Sequence, residues 1–500
     1  MATTDLSQTG RTELRRRLTL RSNAALVFAS VGATAGLYSL FAFSLGTSGP
    51  SFIWGWVATV IGVAALCCMW AELAAHYPLA GAFYHWGTAV AGSRVGWWIG
   101  WIYLGAQIAV LTAWYFVLPV AVAPLFGVTF SPGEAAAVAL GALLVAAIIN
   151  ASGIEFLGKV TVIGVAAEIF IVFVLTSLVV AFGATQPVSV YVQGPGVSGF
   201  GNWVYALLAG GIFVSLWVLY TFESAGLVGE ETKSGPRVAP KAIFLALTGT
   251  LLMGLYFLAG MIIAIPNVKA AMTSTTPIQD IINGALPHWF SKLYLVLICE
   301  VTFLGANAFF TGVSRQMYGM AREGQLPFSG FLSKTRNGTP WAALLVVAVL
   351  TGLPLLASQQ IPVLTTGATG AIYVAYAFLA IMLLAARFRG WPRQPASFKL
   401  GRYAKPINIF AVLVATGVVV DLFWPRDTTN PTWHGVRVAY WIIGLPVVIG
   451  LFYYVFYQHR RLAPEGEADA EDVKAWGAES PEAQQPAAVA PDDPSQSLTD

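Results

Sequence analysis

Twelve apolar runs, each long enough to cross a lipid bilayer, leave this chain little choice of fold. They lie near 24–46, 51–72, 95–121, 134–151, 157–182 and 201–227, then near 241–265, 289–321, 341–358, 362–387, 406–424 and 434–457. About 20 apolar residues in a helix span the hydrocarbon core. Inside it, backbone polar groups are satisfied only by helices or closed barrels. Runs of this length predict an all-α membrane protein with 12 transmembrane helices. The chain is 57% hydrophobic and 10% charged, with mean hydropathy +0.70, where a soluble domain carries roughly 25% charged residues. Its 50 glycines and 17 tryptophans suit close helix packing and the membrane interfaces.

Charge sets the orientation. With an even number of spans both ends share a side. That side collects 23 of the 27 lysines and arginines, leaving Lys269, Lys292, Arg426 and Arg437 on the other. Positive charge marks the cytoplasm, so both tails are expected inside the cell, in the inner membrane of a bacterium. Residues 1–22 read as a polar, arginine-rich cytoplasmic tail with no cleavable signal. Residues 461–500 read as a disordered cytoplasmic tail, with ten acidic residues and one lysine from 463 onward.

Several function classes are excluded. The net charge of +3 gives no basis for nucleic-acid binding. The three cysteines, Cys67 and Cys68 among them, form neither a disulfide framework nor a metal pattern. No nucleotide-cradling GxxxxGK[ST] occurs, and no zinc-protease or GxSxG pattern. The chain reads as no enzyme, with no cofactor and no metal, so transport must draw on an ion gradient or on exchange.

Two spans are built to break. In the sixth, 213–241 (FVSLWVLYTFESAGLVGEETKSGPRVAPK), Glu223 stands mid-span with Trp217, Tyr220 and Thr221 before it and Gly226 and Gly229 after it. A lone ionisable group in a membrane span marks a functional site, and broken helices are tolerated where they line a cavity. The first span, ASVGATAGLYSLF (29–41), has small residues through its centre. Interrupted helices in corresponding positions of two halves point to a carrier's binding site. We therefore expect two five-helix units, 23–182 and 183–387, followed by two helices in 388–460. If the first span unwinds around Val31, Ala33, Thr34, Ala35 and Gly36, its amides can hold a carboxylate and its carbonyls an ammonium. Small-residue packing is the bland alternative.

Glu223 fits a counter-charge for an amine or a proton carrier; it also fits a cap on its own broken helix. Trp217 fits a lid over the substrate, or packing. Glu168, mid-way along the fifth span, fits a proton site between spans 1, 5 and 8. Asn307 and Thr311 on the eighth span fit the same coupling site, and Gln107, Tyr373 and Tyr376 fit the pathway. Glu300 is a third membrane carboxylate that can snorkel to the outer end. The loop 72–86 (ELAAHYPLAGAFYHW) is polar yet aromatic and fits an inner gate with His76 and Tyr77. His76 and His85 could sense pH, though isolated histidines usually satisfy local hydrogen bonds. Arg322, beside Glu323, is expected to pair with that loop.

WVLYTFESAGLVGEETKSGPRVAPKAI resembles the helix 6 signature of the amino acid–polyamine–organocation permeases. WAELAAHYPLAGAFYHW, RQMYGMAREGQLP and FKLGRYAKPIN are similar to three further motifs of that superfamily, in order and with matching spacing over 24–457. SGP at 48–50 looks like the amino acid/choline/γ-aminobutyrate branch. The resemblance implies a five-plus-five inverted repeat with helices 1 and 6 discontinuous. It puts substrate carboxylate at Thr34–Ala35–Gly36, a gating aromatic at Trp217 and an acid at Glu223. Thr34 replaces a glycine of the family pattern, and Glu168 stands near where some members carry a lysine. The expected function is a proton-coupled secondary amino-acid permease working by alternating access. Its partners are an amino acid or amine, protons and the bilayer; the sequence does not fix an oligomeric state. The alternatives are an exchanger, a carrier of γ-aminobutyrate, choline or polyamine, or, in another class, a nutrient sensor or channel.

Overall fold

The computed structural model describes residues 14, 16–196, 199–356, 361–433 and 435–461; the tails 1–13 and 462–500 lie outside this range. The first span forms two helices, α1 (Leu20–Val31) and α2 (Ala33–Ser48). There follow α3 (Ile53–His76), α4 (Ala82–Ala91), α5 (Ser93–Phe126), α6 (Pro132–Ala151) and α7 (Ile154–Gly183). The sixth span comes in pieces: α8 (Phe200–Ala206), a π-helical turn at Leu207–Gly211, α9 (Phe213–Val218) and α10 (Ser224–Leu227). Next come α11 (Gly235–Ile263), α12 (Val268–Thr273), α13 (Pro277–Ala285) and α14 (Trp289–Arg322). The rest is α15 (Ser329–Leu332), α16 (Trp341–Leu355), α17 (Ile361–Phe388), α18 (Ala404–Phe423) and α19 (Val438–Phe456). A two-residue hairpin, Thr432–Trp433 with Val436–Arg437, is the only sheet among the described residues.

Eleven helical segments of the described residues are long and apolar enough to cross a membrane, and α16 is a shorter apolar helix. The expected span 341–358 is thus a helix of 15 residues, with the residues just beyond it outside the described range. Local chemistry explains the helix starts. Thr19 accepts from the Ser22 amide at 3.3 Å at the start of α1. Ser131 and Glu134 form a capping box ahead of α6, with Pro132 at its first position.

Burial separates the bundle core from the lipid face. α1 buries every residue from Asn23 to Val31. α19 buries only Ala439 and Gly450 and leaves Leu445, Ile449 and Phe452 exposed. An apolar side chain facing lipid loses nothing, so the peripheral helices need no polar outer face.

The chain ends gather with several loops on one face. Leu18 pairs with Thr232 as a parallel bridge. His76 meets the Gln394 carbonyl at 3.2 Å, the Leu400 amide donates to Glu72 at 2.9 Å, and Gln458 donates to Gln325 at 2.5 Å. This face therefore holds the N-terminal segment, the α3–α4 loop, the turn after α10, the end of α14, the α17–α18 connection and the end of α19.

Candidate functional site

The first span breaks at Gly32, between Val31 and Ala33 of the stretch expected to unwind. Gly32 adopts φ 54 and ψ 53, a left-handed conformation that glycine tolerates and other residues avoid. A Cβ there would stand 2.0 Å from Cη2 of Trp114 on α5. Val31 ends α1, and Ala33, Thr34, Ala35 and Gly36 are the first turn of α2. These four are helical, so what they offer is the amide end of a helix rather than an unwound strand. Gly36 lets α2 approach α9, since a Cβ there would lie 2.5 Å from Val218 and 3.3 Å from Trp217.

Glu168 already occupies that amide end. Its Oε1 accepts from the Thr34 amide at 3.2 Å and from the Thr34 hydroxyl at 2.7 Å, and the side chain is 3% exposed. A carboxylate at a helix N-terminus is stabilised by the free amides and the helix dipole. Thr34, where the family pattern has glycine, supplies the second of the two donors.

The sixth span breaks between Val218 and Ser224, and Thr221 takes φ 68. The freed groups are met from α17: the Tyr376 hydroxyl accepts from the Thr221 amide at 3.0 Å, and the Tyr373 hydroxyl donates to the Leu219 carbonyl at 3.2 Å. The two breaks meet through Ser30, whose Oγ lies 3.4 Å from Thr221 Oγ1 and 3.2 Å from Ser224 Oγ.

Glu223 is fully buried and accepts from the Tyr103 hydroxyl of α5 at 2.5 Å; its Oε2 has no hydrogen-bond partner among the described residues. The Gln107 amide, also fully buried, has none at either atom, and neither has the Tyr220 hydroxyl. Leaving a buried polar atom unpaired costs roughly 1–3 kcal/mol. Such atoms around two helix breaks mark a place made for a polar ligand.

On the side of the chain ends, Glu223 is covered by aromatic rings. Phe83 stacks on Tyr103 with centroids 3.7 Å apart, and Tyr376 lies 5.3 Å from Trp70 and 5.7 Å from Phe83. Phe83 and Trp86 come from α4, so the 72–86 stretch sends rings into the core. Outside that layer three ion pairs close the face. Arg315 grips Glu231 at 2.8 and 3.1 Å, and Arg387 meets Glu72 at 2.5 Å, all four side chains 1% exposed or less. Arg322 pairs with Glu230 at 2.7 and 2.8 Å. This corrects the expected partner of Arg322: its ion pair is with Glu230, which in turn accepts from the Ala80 amide of the 72–86 loop at 3.0 Å.

His76 and Tyr77 belong to this closure. His76 Nδ1 faces the Glu72 carbonyl at 2.8 Å and Nε2 the Gln394 carbonyl at 3.2 Å. The Tyr77 carbonyl accepts from Trp86 Nε1 at 2.9 Å. His85 does not fit the sensing role raised for it: burial, reinforced by the charge of Arg322, drives its pKa down to about 3.

Toward the opposite face stands Trp217, 2% exposed, with ring centroids 6.1 Å from Trp114 and 5.7 Å from Tyr220. Trp217 itself lines a shallow depression there with Leu40, Phe213, Leu216, Thr369 and Leu422, too tight to admit a water molecule. Asn307 and Thr311 make hydrogen bonds between helices, from α14 to α6. Thr311 donates to Asn150 Oδ1 at 2.7 Å, and Asn150 Nδ2 donates to Asn307 Oδ1, with no hydrogen bond to Glu168. Sequence reasoning missed Gly32, Tyr103, Trp114 and Asn150. Only Gly32 carried a usable signal, as the one glycine ahead of the small-residue run; Glu230 and Glu231 stood in a quoted motif but drew no role.

A helical bundle with two interrupted spans around a buried polar centre is the build of a multi-pass membrane transporter. The chain belongs to the amino acid permease family, within the amino acid–polyamine–organocation superfamily: the family model matches residues 18–450. It is similar to amino-acid permease BAT1 of Arabidopsis thaliana, 24% identical over 483 residues, covering 89% of this chain and 92% of that one. It is 23% identical to amino-acid permease 2 of Neurospora crassa over 485 residues (90% and 86%). To a putative amino acid/polyamine transporter of Macrophomina phaseolina it is 26% identical over 407 residues (76% and 88%).

Proposed function

We propose that this permease takes up amino acids together with protons, by alternating access across the cell's inner membrane with both tails in the cytoplasm. Its two related halves are 23–182 and 183–387. The observation that carries the reading is the Glu168 carboxylate seated on the Thr34 amide and hydroxyl. That carboxylate sits where a substrate's own carboxylate would bind. While ionised, it competes with the substrate for the same donors. Once protonated, it has one oxygen fewer to offer as a charged acceptor and yields the helix end. Proton and substrate then load together, and a site that must be doubly loaded before it closes couples one gradient to the other. The substrate's ammonium would face the carbonyls freed by the two breaks, with Gln107, Tyr220 and Glu223 nearby.

Two features support alternating access: the aromatic layer and the three ion pairs cover the face that holds the N-terminal segment, and Trp217 stands buried on the opposite side of the breaks. Glu223, held by Tyr103 under the aromatic layer, belongs to the inner closure as much as to the substrate site. The amine-carrier reading keeps one supporting observation, the unpartnered Oε2 of Glu223, which a cation without a carboxylate would satisfy.

The test is uptake of a defined mixture of radiolabelled standard amino acids into proteoliposomes across a range of external pH. Glu168→Gln keeps an acceptor for Thr34 but cannot change charge. It should flatten the pH dependence and abolish accumulation driven by a proton gradient, while exchange without a gradient persists. A Glu168→Gln protein whose uptake follows the wild-type pH profile would end the coupling role.

A further inference from the structure

The mechanism above leaves one membrane carboxylate unused. Glu300 lies on α14, half-buried, and its side chain folds inward onto α7. A Cβ added at Gly164 would stand 2.7 Å from Glu300 Oε1 and 2.0 Å from Leu304 Cδ1. A side chain at this position would have to push aside the ends of both of these side chains. Gly164 and Glu168 are one turn apart on the same face of α7, and α7 and α14 run antiparallel. Glu300 and Leu304 are likewise one turn apart on α14. With Leu304 level with Gly164, Glu300 comes level with Glu168, and its carboxylate reaches back along the groove. Glu300 Oε2 is shielded from solvent and has no hydrogen-bond partner among the described residues. A permanently ionised carboxylate placed this way would be costly, whereas one that exchanges a proton is not.

We propose that Glu300 is a positioning residue for coupling: its charge sets the pH at which Glu168 takes up and releases its proton. The inference rests on the coupling role proposed for Glu168. Two carboxylates on facing stretches of a low-dielectric helix interface do not both ionise readily, so they titrate as a pair. A negative Glu300 makes the proton on Glu168 harder to lose. The remaining titratable groups near the pair are Tyr38 on α2, whose hydroxyl accepts from Gln279 of α13 at 2.7 Å, and Tyr294 and Cys299 on α14. The charged groups of the neighbouring elements lie toward their ends: Arg21 on α1, Glu155 with Lys159 on α7, Lys292 on α14, Asp280 on α13, Glu134 on α6, and Arg237 and Lys241 on α11.

The experiment compares wild type, Glu168→Gln, Glu300→Gln and Glu300→Asp in the full-length chain, in proteoliposomes, using the same amino-acid mixture. Removing the Glu300 charge should move the pH midpoint of uptake to lower pH by about half a unit or more. Glu300→Asp, which withdraws the charge without deleting it, should move it the same way by less, and it serves if Glu300→Gln does not insert. A purely structural role would change the amount of active protein and leave the midpoint alone. If Glu168→Gln flattens the profile but both Glu300 variants keep the wild-type midpoint, the role of Glu300 is overturned and that of Glu168 stands. If Glu168→Gln itself keeps the wild-type profile, the coupling reading falls first. Infrared difference spectra over the same pH range give a readout free of substrate: the protonated-carboxyl band lost in Glu300→Gln should titrate together with the one lost in Glu168→Gln.

Discussion

At the scale of single residues, this permease turns on positions where one side chain more or less decides the geometry. Gly32 is the sharpest. An L-residue in its left-handed conformation costs about 1–2 kcal/mol for the backbone alone, and the added methyl would also drive into Trp114. Gly32→Ala should therefore lower the unfolding temperature of the purified protein and abolish uptake; wild-type values for both would show that the first span can break elsewhere. His85 gives a pH dependence of known sign. Its folded pKa of about 3 lies below the ordinary 6.5, so the neutral ring is what the fold stabilises. That contribution is complete above about pH 6.5 and is lost as the pH falls toward 3, because the unfolded chain then binds the extra proton. The stability gap between wild type and His85→Gln should narrow from pH 7 to pH 4, read by thermal unfolding in detergent; a constant gap would show that the ring takes its proton while folded.

At the scale of elements, the turn after α10 is the point where closure is made. Within three residues, 230–232, it offers Glu230 to Arg322, Glu231 to Arg315, and Thr232 to Asn23 of α1 at 2.8 Å. The N-terminal segment lies against it, with the Lys233 amide donating to the Leu18 carbonyl at 2.9 Å. The two ion pairs are not equivalent. Arg322 is 31% exposed, and a pair screened by water contributes up to about 1 kcal/mol. Arg315 is 1% exposed, and stripping a buried charge of its partner costs about 3–5 kcal/mol. Glu231→Gln should therefore destabilise the protein by about that amount, whereas Glu230→Gln should change stability little. Equal effects in chemical unfolding would contradict the burial argument.

At the scale of the whole molecule, asymmetry is the main feature. One face is sealed in depth by ion pairs, aromatic rings and the N-terminal segment, and the other by Trp217. The lysine and arginine count predicts that the sealed face lies in the cytoplasm. Reporter fusions at either end of the chain should be active only in the cytoplasm; a periplasmic signal from one end would mean an odd number of crossings, and from both ends an inverted protein.

Much of this was legible in the residues. Length and hydropathy fixed the helical membrane class, because hydrocarbon permits no other backbone arrangement for runs of that length. The mid-span carboxylates Glu168 and Glu223 and the lid candidate Trp217 stood out because a bilayer makes polar groups conspicuous. What the order of residues could not convey was partnership. That Glu168 lands on Thr34, that Tyr103 finds Glu223, that Arg322 pairs with Glu230, and that Gly164 leaves room for the Glu300 side chain against α7 are contacts between residues distant in the chain. Burial and spacing along one helix say which groups need a partner; only the packing of helices against one another, side chain into gap, decides which partner each one gets.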